Sequence, residues 1–539
     1  MLVITIAMTV YKLSFIFLHP LAISPDQALY LETGKLILQG RVPYLDFFDF
    51  NLPLIMYLSV IPVVVAKLPG LNSLPLPLVF NLSIEFLFLA SFALLFRLFQ
   101  LGKSEIPIYV RFSFLLVYLS FNQSLTSDFG QREHLFLLTF LPWLLYRIVS
   151  TAGAAAKAVF SSWLRAGLAL LAALGLALKP QFFIFALFLE GTIYIWRKGR
   201  LFDPGLKALG LFYAAINVGC LLLPLEAWRI YFQQALPLYF YGSSWSAKSF
   251  MHCLCGFDYF YYPVLLLFAA LLAYITGAWQ NFPPLLRRLG LINLLMALAG
   301  LLHYLAGAQA WTYRILPLQL FSLLALFCLL YAIFYTGFDA LWVRFSRIQI
   351  TSLRLPQSLL LRFSLVPGVV SFAALYLTGF KTVHEILDVQ AAPMFKVDSG
   401  AFASSPLSDL DSAFLSITAN SVAGQSVLTI SSGIRPAYPA QLQADRRPGS
   451  RYLYFPLMML LQAARSKTDE GWRQHFQLLE EKMISELGND IVARKPTLVY
   501  LQLEPIGAEL VRFGFVDKYL QGYSLLGYCE GSAVYKLQQ

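Results

Sequence analysis

The chain has 539 residues, of which 58% are hydrophobic, 16% are aromatic and only 13% are charged. With a mean hydropathy of +0.66, this composition excludes an ordinary soluble globular protein. The net charge of +11 does not indicate a nucleic-acid partner, because the basic residues collect in the short connections where membrane topology requires them. We therefore expect a polytopic helical membrane protein that does not bind nucleic acid.

Apolar segments long enough to cross a hydrocarbon core of about 30 Å recur along residues 1–380. The opening segment 1–18 is predicted to span the membrane and not to be a signal peptide, because no small-residue cleavage site follows it. The segment 53–68 is short and contains Pro62, so we predict that it re-enters the membrane or lies at the interface. The predicted spans, about eleven in number, are 1–18, 76–99, 107–124, 134–149, 165–178, 181–196, 207–224, 261–277, 289–305, 314–335 and 363–380.

The connections between these spans alternate in charge. One set is basic and includes Arg97, Arg147, the segment 196–200 and Arg287, whereas the other set is mixed or acidic and rich in aromatic residues. Cytoplasmic loops of membrane proteins carry an excess of lysine and arginine. We therefore expect a cytoplasmic N-terminus, with the first outer loop, 19–75, and the C-terminal tail outside.

The tail has the composition of a soluble domain. The segments 425–431 and 496–502 predict β-strands, and 468–487 between them predicts an amphipathic helix with an acidic first turn. A strand–helix–strand order predicts a small α/β domain. The predicted fold is thus a polytopic α-helical membrane domain, 1–380, followed by an extracytoplasmic soluble α/β domain, 381–539.

Unusual polar residues converge on one side of the predicted bilayer. A carboxylate near the hydrocarbon boundary is costly unless it is paired or faces a wet cavity, so such residues are functional candidates. Carboxylates beside fixed cations suit a reaction that deprotonates an acceptor and stabilises a phosphate leaving group. The residues at the extracytoplasmic ends of spans are Asp26, Asp46, Asp49, Asp128, Arg132, Glu133, His134, Lys179, His303 and Arg314.

The segment 24–58 reads SPDQALYLETGKLILQGRVPYLDFFDFNLPLIMYL and carries a spaced set of residues: Asp26, Tyr30, Gly34, Gly40, Pro43, Tyr44, Asp46, Pro53 and Leu54. Further motifs with polar residues follow at 128–135 (DFGQREHL), 176–181 (LALKPQ) and 313–318 (YRILPL). Together they resemble the GT-C superfamily of membrane glycosyltransferases, which depend on polyprenyl-phosphate sugars. Protein O-mannosyltransferases and the lipid A aminoarabinose transferase belong to that superfamily. The resemblance covers roughly 1–340.

The resemblance implies an inverting sugar transfer on the outer face, from a polyprenyl-phosphate donor to a lipid, glycan or protein acceptor. Asp26 matches the loop-one carboxylate that serves as general base in such enzymes. Lys179, Arg132 and Arg314 would then stabilise the departing polyprenyl phosphate. Many members carry a second acid beside the loop-one aspartate, where this chain has Gln27. No cofactor is therefore assigned with certainty, and a divalent metal stays open.

The acids of the first outer loop could also have structural roles. Asp26 could cap the helix that follows it, a role that can coexist with catalysis. Asp46 and Asp49, three residues apart, could be solvated loop acids instead of a metal or acceptor site. We assign Asp26 to catalysis and the other two acids to substrate binding.

The polar residues that follow the first outer loop could likewise have a structural role or bind substrate. Arg132, Glu133 and His134 could form an internally paired helix start, whereas the flanking Asp128 suggests contact with substrate. A lysine or arginine near a span end could anchor the helix at the interface instead of binding phosphate. The predicted substrate-binding residues are Asp46, Asp49, Asp128, Arg132, Glu133, His134, Lys179 and Arg314.

Two other classes of function stay open at this point: a lipid or glycolipid transporter or flippase, and a noncatalytic relative that binds lipid-linked sugars. Transporters usually place ionisable groups near the bilayer midplane in repeated halves. In this chain the unusual polar residues are predicted to lie at one face of the membrane, and the sequence shows no internal repeat. We therefore favour a glycosyltransferase, and a bacterial inner membrane over the endoplasmic reticulum because no retention signal is present.

Overall fold

The computed structural model describes residues 2–101, 106, 108–125, 128–151, 160–197, 203–242, 261–275, 284–306, 311–329, 331, 408–466, 470–529 and 531–538. These residues are mostly helical, with one small sheet near the C-terminus. The first fifteen helices are α1 (Leu2–Leu18), α2 (Pro25–Leu38), α3 (Pro53–Leu58), α4 (Val60–Ala66), α5 (Leu76–Leu101), α6 (Ile108–Ser124), α7 (Arg132–Val149), α8 (Ser162–Ala177), α9 (Phe183–Trp196), α10 (Pro204–Leu221), α11 (Leu225–Ile230), α12 (Leu236–Gly242), α13 (Tyr261–Ile275), α14 (Pro284–Ala306) and α15 (Thr312–Leu329).

Among the described residues, four helices are long and apolar enough to cross a membrane: α5, α10, α14 and α15. The prediction of about eleven spans is therefore not met. Helices α1, α8 and α9 have 17, 16 and 14 residues. At 1.5 Å per residue they reach about 21–26 Å, which is less than the roughly 30 Å of a hydrocarbon core. Helix α7 has 18 residues but carries Arg132, Glu133 and Arg147. The predicted span 363–380 lies outside the described residues.

The segment 53–68 forms two short helices, α3 and α4, which are separated at Ser59. The 14 residues from Pro53 to Ala66 rise about 21 Å, which is too short to cross, in agreement with the prediction for this segment. Helix α2 packs against this break. A Cβ atom added at Gly34 would lie 2.5 Å from the Ser59 carbonyl oxygen, so only glycine permits this backbone approach.

Replacing Gly34 with alanine is expected to lower the free energy of unfolding by about 1–3 kcal/mol, because the Ser59 backbone must move. The matched control is Gly167→Ala in α8, where an added Cβ meets nothing within 4 Å. Its stability should be unchanged or slightly higher, since alanine is the better helix former. Thermal unfolding of the detergent-solubilised variants checks this. Equal midpoints for the two variants would contradict the packing of α2 on Ser59.

The C-terminal part contains a five-stranded mixed sheet with the order β2-β1-β3-β5-β4. Strands β1 and β2, and β1 and β3, pair in parallel, while β3–β5 and β4–β5 are antiparallel. The strands are β1 (Ser426–Ile430), β2 (Arg447–Pro448), β3 (Leu498–Gln502), β4 (Tyr523–Cys529) and β5 (Ser532–Leu537). The helices of this part are α16 (Ser408–Asn420), α17 (Ala437–Gln443), α18 (Leu457–Ser466), α19 (Glu470–Arg494), α20 (Ala508–Arg512) and α21 (Phe515–Tyr519).

The two predicted strands and the helix between them are confirmed, although α19 extends to Arg494. The strands are recognisable in the sequence because both are buried and rich in β-branched or large apolar residues. Val427 and Leu498 lie side by side on the parallel strands and form a core with Ile417 of α16. The predicted domain boundary at 380 lies outside the described residues.

The described residues form two compact units. The first lies within Met1–Leu13, Ile84–Gly219 and Lys248–Glu385, and the second within Ser14–Ser83, Cys220–Ala247 and Ile386–Gln539. The second unit therefore combines the first outer loop with the sheet domain.

Direct contacts hold these parts of the second unit together. The Phe48 N–H donates to the Arg451 carbonyl at 2.9 Å, and Gln443 Nε2 donates to the Leu21 carbonyl at 2.7 Å. Segments in contact lie on the same side of a membrane. That this side is extracytoplasmic stays a prediction.

Candidate functional site

Asp26 lies in the first turn of α2 and is half-buried. The helix is capped by Ser24, whose backbone N–H donates to Gln27 Oε1 at 3.1 Å and so closes a capping box. The prediction of Asp26 as the N-cap is therefore wrong, because the helix begins two residues earlier than that role requires. The partial positive charge of the helix N-terminus favours the ionised carboxylate at this position. A carboxylate held ionised is the form that a general base needs.

Asp46 closes a turn of the first outer loop. Its Oδ2 accepts a hydrogen bond from the Val42 N–H at 2.7 Å, and its Oδ1 lies 3.6 Å from Arg41 Nη1. Both carboxylate oxygens thus serve contacts within the loop. This geometry favours a structural role, and substrate binding by Asp46 stays a prediction.

Asp49 is fully buried, so the expectation of a solvated acid is wrong for this residue. Its Oδ1 accepts hydrogen bonds from the Asn51 N–H at 2.8 Å and from Asn51 Nδ2 at 2.7 Å. The loop folds back on itself and removes this carboxylate from water, which the sequence spacing could not show. Burial raises the pKa of Tyr231 to about 12, and the nearby Asp49 charge adds to that effect.

An aromatic cluster surrounds Asp49. The Tyr44 ring centroid lies 4.9 Å from that of Tyr231 and 6.2 Å from that of Trp228. Tyr44 has a φ of 68°, which is strained for a bulky residue, and its hydroxyl donates to the Asn51 carbonyl at 2.6 Å. Such strain persists only where the surrounding packing enforces it. The cluster therefore fixes the shape of the loop around the carboxylate.

Tyr454 of the sheet domain packs against the first outer loop, where its ring lies 5.7 Å from that of Phe50. Burial raises its pKa well above the ordinary value, and the charge of Asp49 raises it further. Sequence reasoning missed Tyr454, because nothing in the local sequence distinguishes it from other tyrosines of a soluble domain.

The first unit contains a separate buried ion cluster centred on Glu133. Lys179 Nζ forms an ion pair with Glu133 Oε1, and His303 Nε2 lies 3.5 Å from the same oxygen. Lys179 occupies the break between α8 and the 3₁₀ turn Pro180–Phe182, a position that frees its side chain from either helix. Its ammonium lies 5.2 Å from the Tyr313 ring centroid. Glu133 is fully buried and Lys179 is 7% exposed, so this pair is shielded from water.

Two arginines add positive charge to this cluster. The pKa of Lys179 is lowered to about 7, first by burial and then by the charges of Arg132 and Arg314, while Glu133 opposes the shift. Asp128 lies at the edge, where its Oδ1 accepts a hydrogen bond from Thr312 Oγ1 at 3.1 Å. Lys179, Arg132 and Arg314 thus place three cations near Glu133, a grouping suited to an anion such as phosphate.

The lowered pKa of Lys179 predicts that the affinity for a phosphodiester donor falls as pH rises. From about pH 6 to about pH 8 the protonated fraction of such a group, and with it the affinity, should fall about tenfold. A phosphodiester does not titrate in this range, so the change reports on the protein. Donor binding by wild type and by Lys179→Arg checks this, because arginine stays charged. An identical pH dependence in both proteins would contradict the assignment to Lys179.

His134 is buried with both ring nitrogens engaged. Its Nδ1 accepts a hydrogen bond from the Gly130 N–H at 2.9 Å, and its Nε2 lies 2.9 Å from Asn122 Oδ1. With Nδ1 as acceptor, the ring carries its proton on Nε2 and donates to the amide oxygen. This arrangement favours a structural role for His134.

The structure also shows a buried network that sequence reasoning missed. Glu85 Oε1 accepts a hydrogen bond from Gln123 Nε2 at 2.9 Å, and Lys12 Nζ donates to the Leu125 carbonyl at 2.6 Å. Both charged residues lie inside apolar helical segments, where hydropathy averages conceal them. Charges in such positions are functional or structural candidates.

Within the described ranges, no group of three histidine, cysteine, aspartate or glutamate side chains is placed to hold a metal ion. Glu133 and His303 form only a pair, and the carboxylate already binds Lys179. Asp46 and Asp49 have separate local partners. The described residues thus supply no complete ligand set for a divalent metal.

No protein-family model matches this chain, and none of the curated proteins is significantly similar to it in sequence. The resemblance to GT-C glycosyltransferases stays a prediction from the residues of the first loop and the span ends. Function has to be argued from the chemistry of the two clusters, because fold class alone does not determine activity.

Proposed function

We propose that this protein is an integral membrane glycosyltransferase that moves a sugar from a polyprenyl-phosphate donor to an acceptor on the extracytoplasmic face. The observation that carries the proposal is the buried cationic cluster of Lys179, Arg132 and Arg314 around Glu133. A lipid phosphate places its charge at the membrane boundary, beside its apolar chain. Exposed apolar side chains on α9 and α14 offer a surface for such a chain.

The proposed reaction is a single displacement with inversion. Asp26 takes the proton from the acceptor hydroxyl or amine, whose oxygen or nitrogen attacks the anomeric carbon of the sugar. The bond between that carbon and the phosphate oxygen breaks, and the electron pair leaves with the polyprenyl phosphate. Lys179, Arg132 and Arg314 stabilise the charge that develops on the leaving phosphate.

The role of Glu133 in this scheme is to position Lys179. An isolated buried ammonium loses its charge, whereas a carboxylate partner favours the charged form. Glu133 also has an oxygen, Oε2, without a hydrogen-bond partner among the described residues. An ammonium has three donors, so Lys179 can contact a donor phosphate while it keeps its ion pair with Glu133.

A transporter of the same lipid-linked sugar is the second candidate, and the buried charges Lys12 and Glu85 favour it. Ionisable residues inside apolar helices often line the pathway of a transported group. Here both have protein partners, the Leu125 carbonyl for Lys12 and the Gln123 amide for Glu85. These contacts are sufficient to explain their burial, so we rank transport below transfer.

The fate of a doubly labelled donor distinguishes the functions. Proteoliposomes would receive a mixed pool of polyprenyl-phosphate sugars with one label on the sugar and another on the lipid, plus a membrane extract as acceptor source. A transferase separates the two labels. A transporter moves both labels across the bilayer together, and a noncatalytic binding protein retains both. Nucleotide sugars serve as the control donor, and we expect them to stay intact.

A further inference from the structure

A pocket of about 460 Å³ lies within the second unit and is distinct from the residues around Tyr454. It is formed by α2, by the turn of the first outer loop, by β2 and by the end of α19. Its volume is in the range of sites that hold a small molecule. The charged side chains that line it include Glu32, Lys35, Arg41, Asp445, Arg447 and Arg494.

The arginines of this pocket are available to an outside anion. Arg447 is exposed and forms no ion pair with any residue that the structure describes. Arg41 reaches Asp46 only at 3.6 Å, and Arg494 reaches Asp490 only at 3.9 Å. Long, exposed pairs of this kind contribute little energy and are easily exchanged. Arg41, Arg447 and Arg494 all line the pocket, together with the acids Glu32, Asp46 and Asp445, so three guanidinium groups can bind phosphate or carboxylate oxygens there.

Glu32 provides the complementary feature. Its side chain is 2% exposed and lines the pocket, and its Oε2 has no hydrogen-bond partner among the described residues. Lys35 Nζ lies 3.5 Å from this oxygen, and 3.4 Å from Asp445 Oδ1. Lys35 is thus an ion-pair partner of Glu32 at a long distance, and a ligand hydroxyl or amine would give this buried oxygen a closer donor.

We propose that this pocket binds a hydroxylated anion, namely a sugar that carries a phosphate or carboxylate group. The anionic group binds Arg447, Arg41 and Arg494, while a hydroxyl donates to Glu32 Oε2. A bare anion offers no hydroxyl to Glu32, and a neutral sugar offers no anionic group to the arginines. Asp46, a predicted substrate-binding residue, also lines this pocket, but the test measures binding alone and so does not depend on the glycosyltransferase activity.

The test uses the full-length protein in phosphatidylcholine nanodiscs and calorimetric titration with mannose 6-phosphate, glucuronate, mannose and inorganic phosphate. The two sugar anions are expected to bind at least about tenfold more tightly than mannose or phosphate. Arg447→Ala should weaken their binding about tenfold or more, whereas Arg447→Lys retains part of it. The matched control is Arg512→Ala, which removes an exposed arginine that pairs with Glu509 and does not line the pocket, and it should leave binding unchanged.

Glu32→Gln tests the second half of the site. It should reduce the preference for the sugar anions over inorganic phosphate, since an amide is a weaker acceptor than a carboxylate. A second set of nanodiscs containing a phosphorylated glycolipid distinguishes a lipid source from a soluble one. Competition with mannose 6-phosphate assigns the site to the lipid headgroup, and its absence assigns it to a soluble sugar. Binding of the sugar anions no tighter than that of mannose, or equal effects of Arg447→Ala and Arg512→Ala, would overturn the proposal.

Discussion

Asp26→Asn is expected to reduce sugar transfer by about 10²–10⁴-fold while folding and donor binding survive, the typical cost of removing a general base. Asparagine has nearly the same shape as aspartate but cannot accept the acceptor's proton. The capping box of Ser24 and Gln27 is independent of the side chain at 26, so α2 should form as before. The measurement is the transfer rate at saturating donor, with donor affinity determined separately.

The matched control for this substitution is Asp517→Asn, an exposed acid in the first turn of α21. It makes the same chemical change at a helix start, so it accounts for any loss of helix-dipole interaction. Transfer by this control should equal that of wild type. Equal transfer by Asp26→Asn as well would remove Asp26 from the chemistry and direct attention to Asp49, the buried carboxylate of the first outer loop.

Lys179→Met is expected to have the second large effect, on both donor binding and stability. Loss of the ammonium should weaken donor binding by about 2–5 kcal/mol, the usual result of truncating a buried charge partner. It also leaves Glu133 as a buried carboxylate without its ion pair, which should lower the free energy of unfolding by about 3–5 kcal/mol. Donor titration and thermal unfolding measure the two effects.

A double variant separates the two roles of Lys179. Glu133→Gln combined with Lys179→Met removes both charges, so most of the lost stability should return while donor binding stays weak. The control Lys12→Met removes another buried lysine of the first unit, whose ammonium donates to the Leu125 carbonyl. It should lower stability without a selective loss of donor binding. Recovery of donor binding in the double variant would show that Lys179 acts only through Glu133.

Local sequence patterns predicted the sheet domain well. Strands β1 and β3 are short apolar segments bounded by polar residues, and α19 carries its acidic start at Glu470, so each is visible within a window of a few residues. Hydropathy over similarly short segments overestimated the number of membrane-spanning helices. The predicted spans 165–178 and 181–196 have 14 and 16 residues, so they were already short, and they were counted on hydropathy and not on length.

The candidate site was predictable only in part, for a related physical reason. The position of Lys179 and Glu133 at span ends follows from topology, and both were selected for that reason. Their mutual ion pair joins residues 46 positions apart, and the contact of the first outer loop with the sheet domain depends on packing between distant segments. Sequence spacing does not determine such contacts. Sequence spacing also predicted the same role for Asp46 and Asp49, although Asp46 closes a turn and Asp49 is buried.

The most direct test of the central claim is mass-spectrometric detection of polyprenyl phosphate released from a polyprenyl-phosphate sugar pool by the reconstituted protein. We predict that wild type releases polyprenyl phosphate in an amount equal to the sugar transferred, and that Asp26→Asn releases almost none. Wild-type protein that binds the donor but leaves it intact, with membrane extract present as acceptor, would contradict the assignment as a glycosyltransferase.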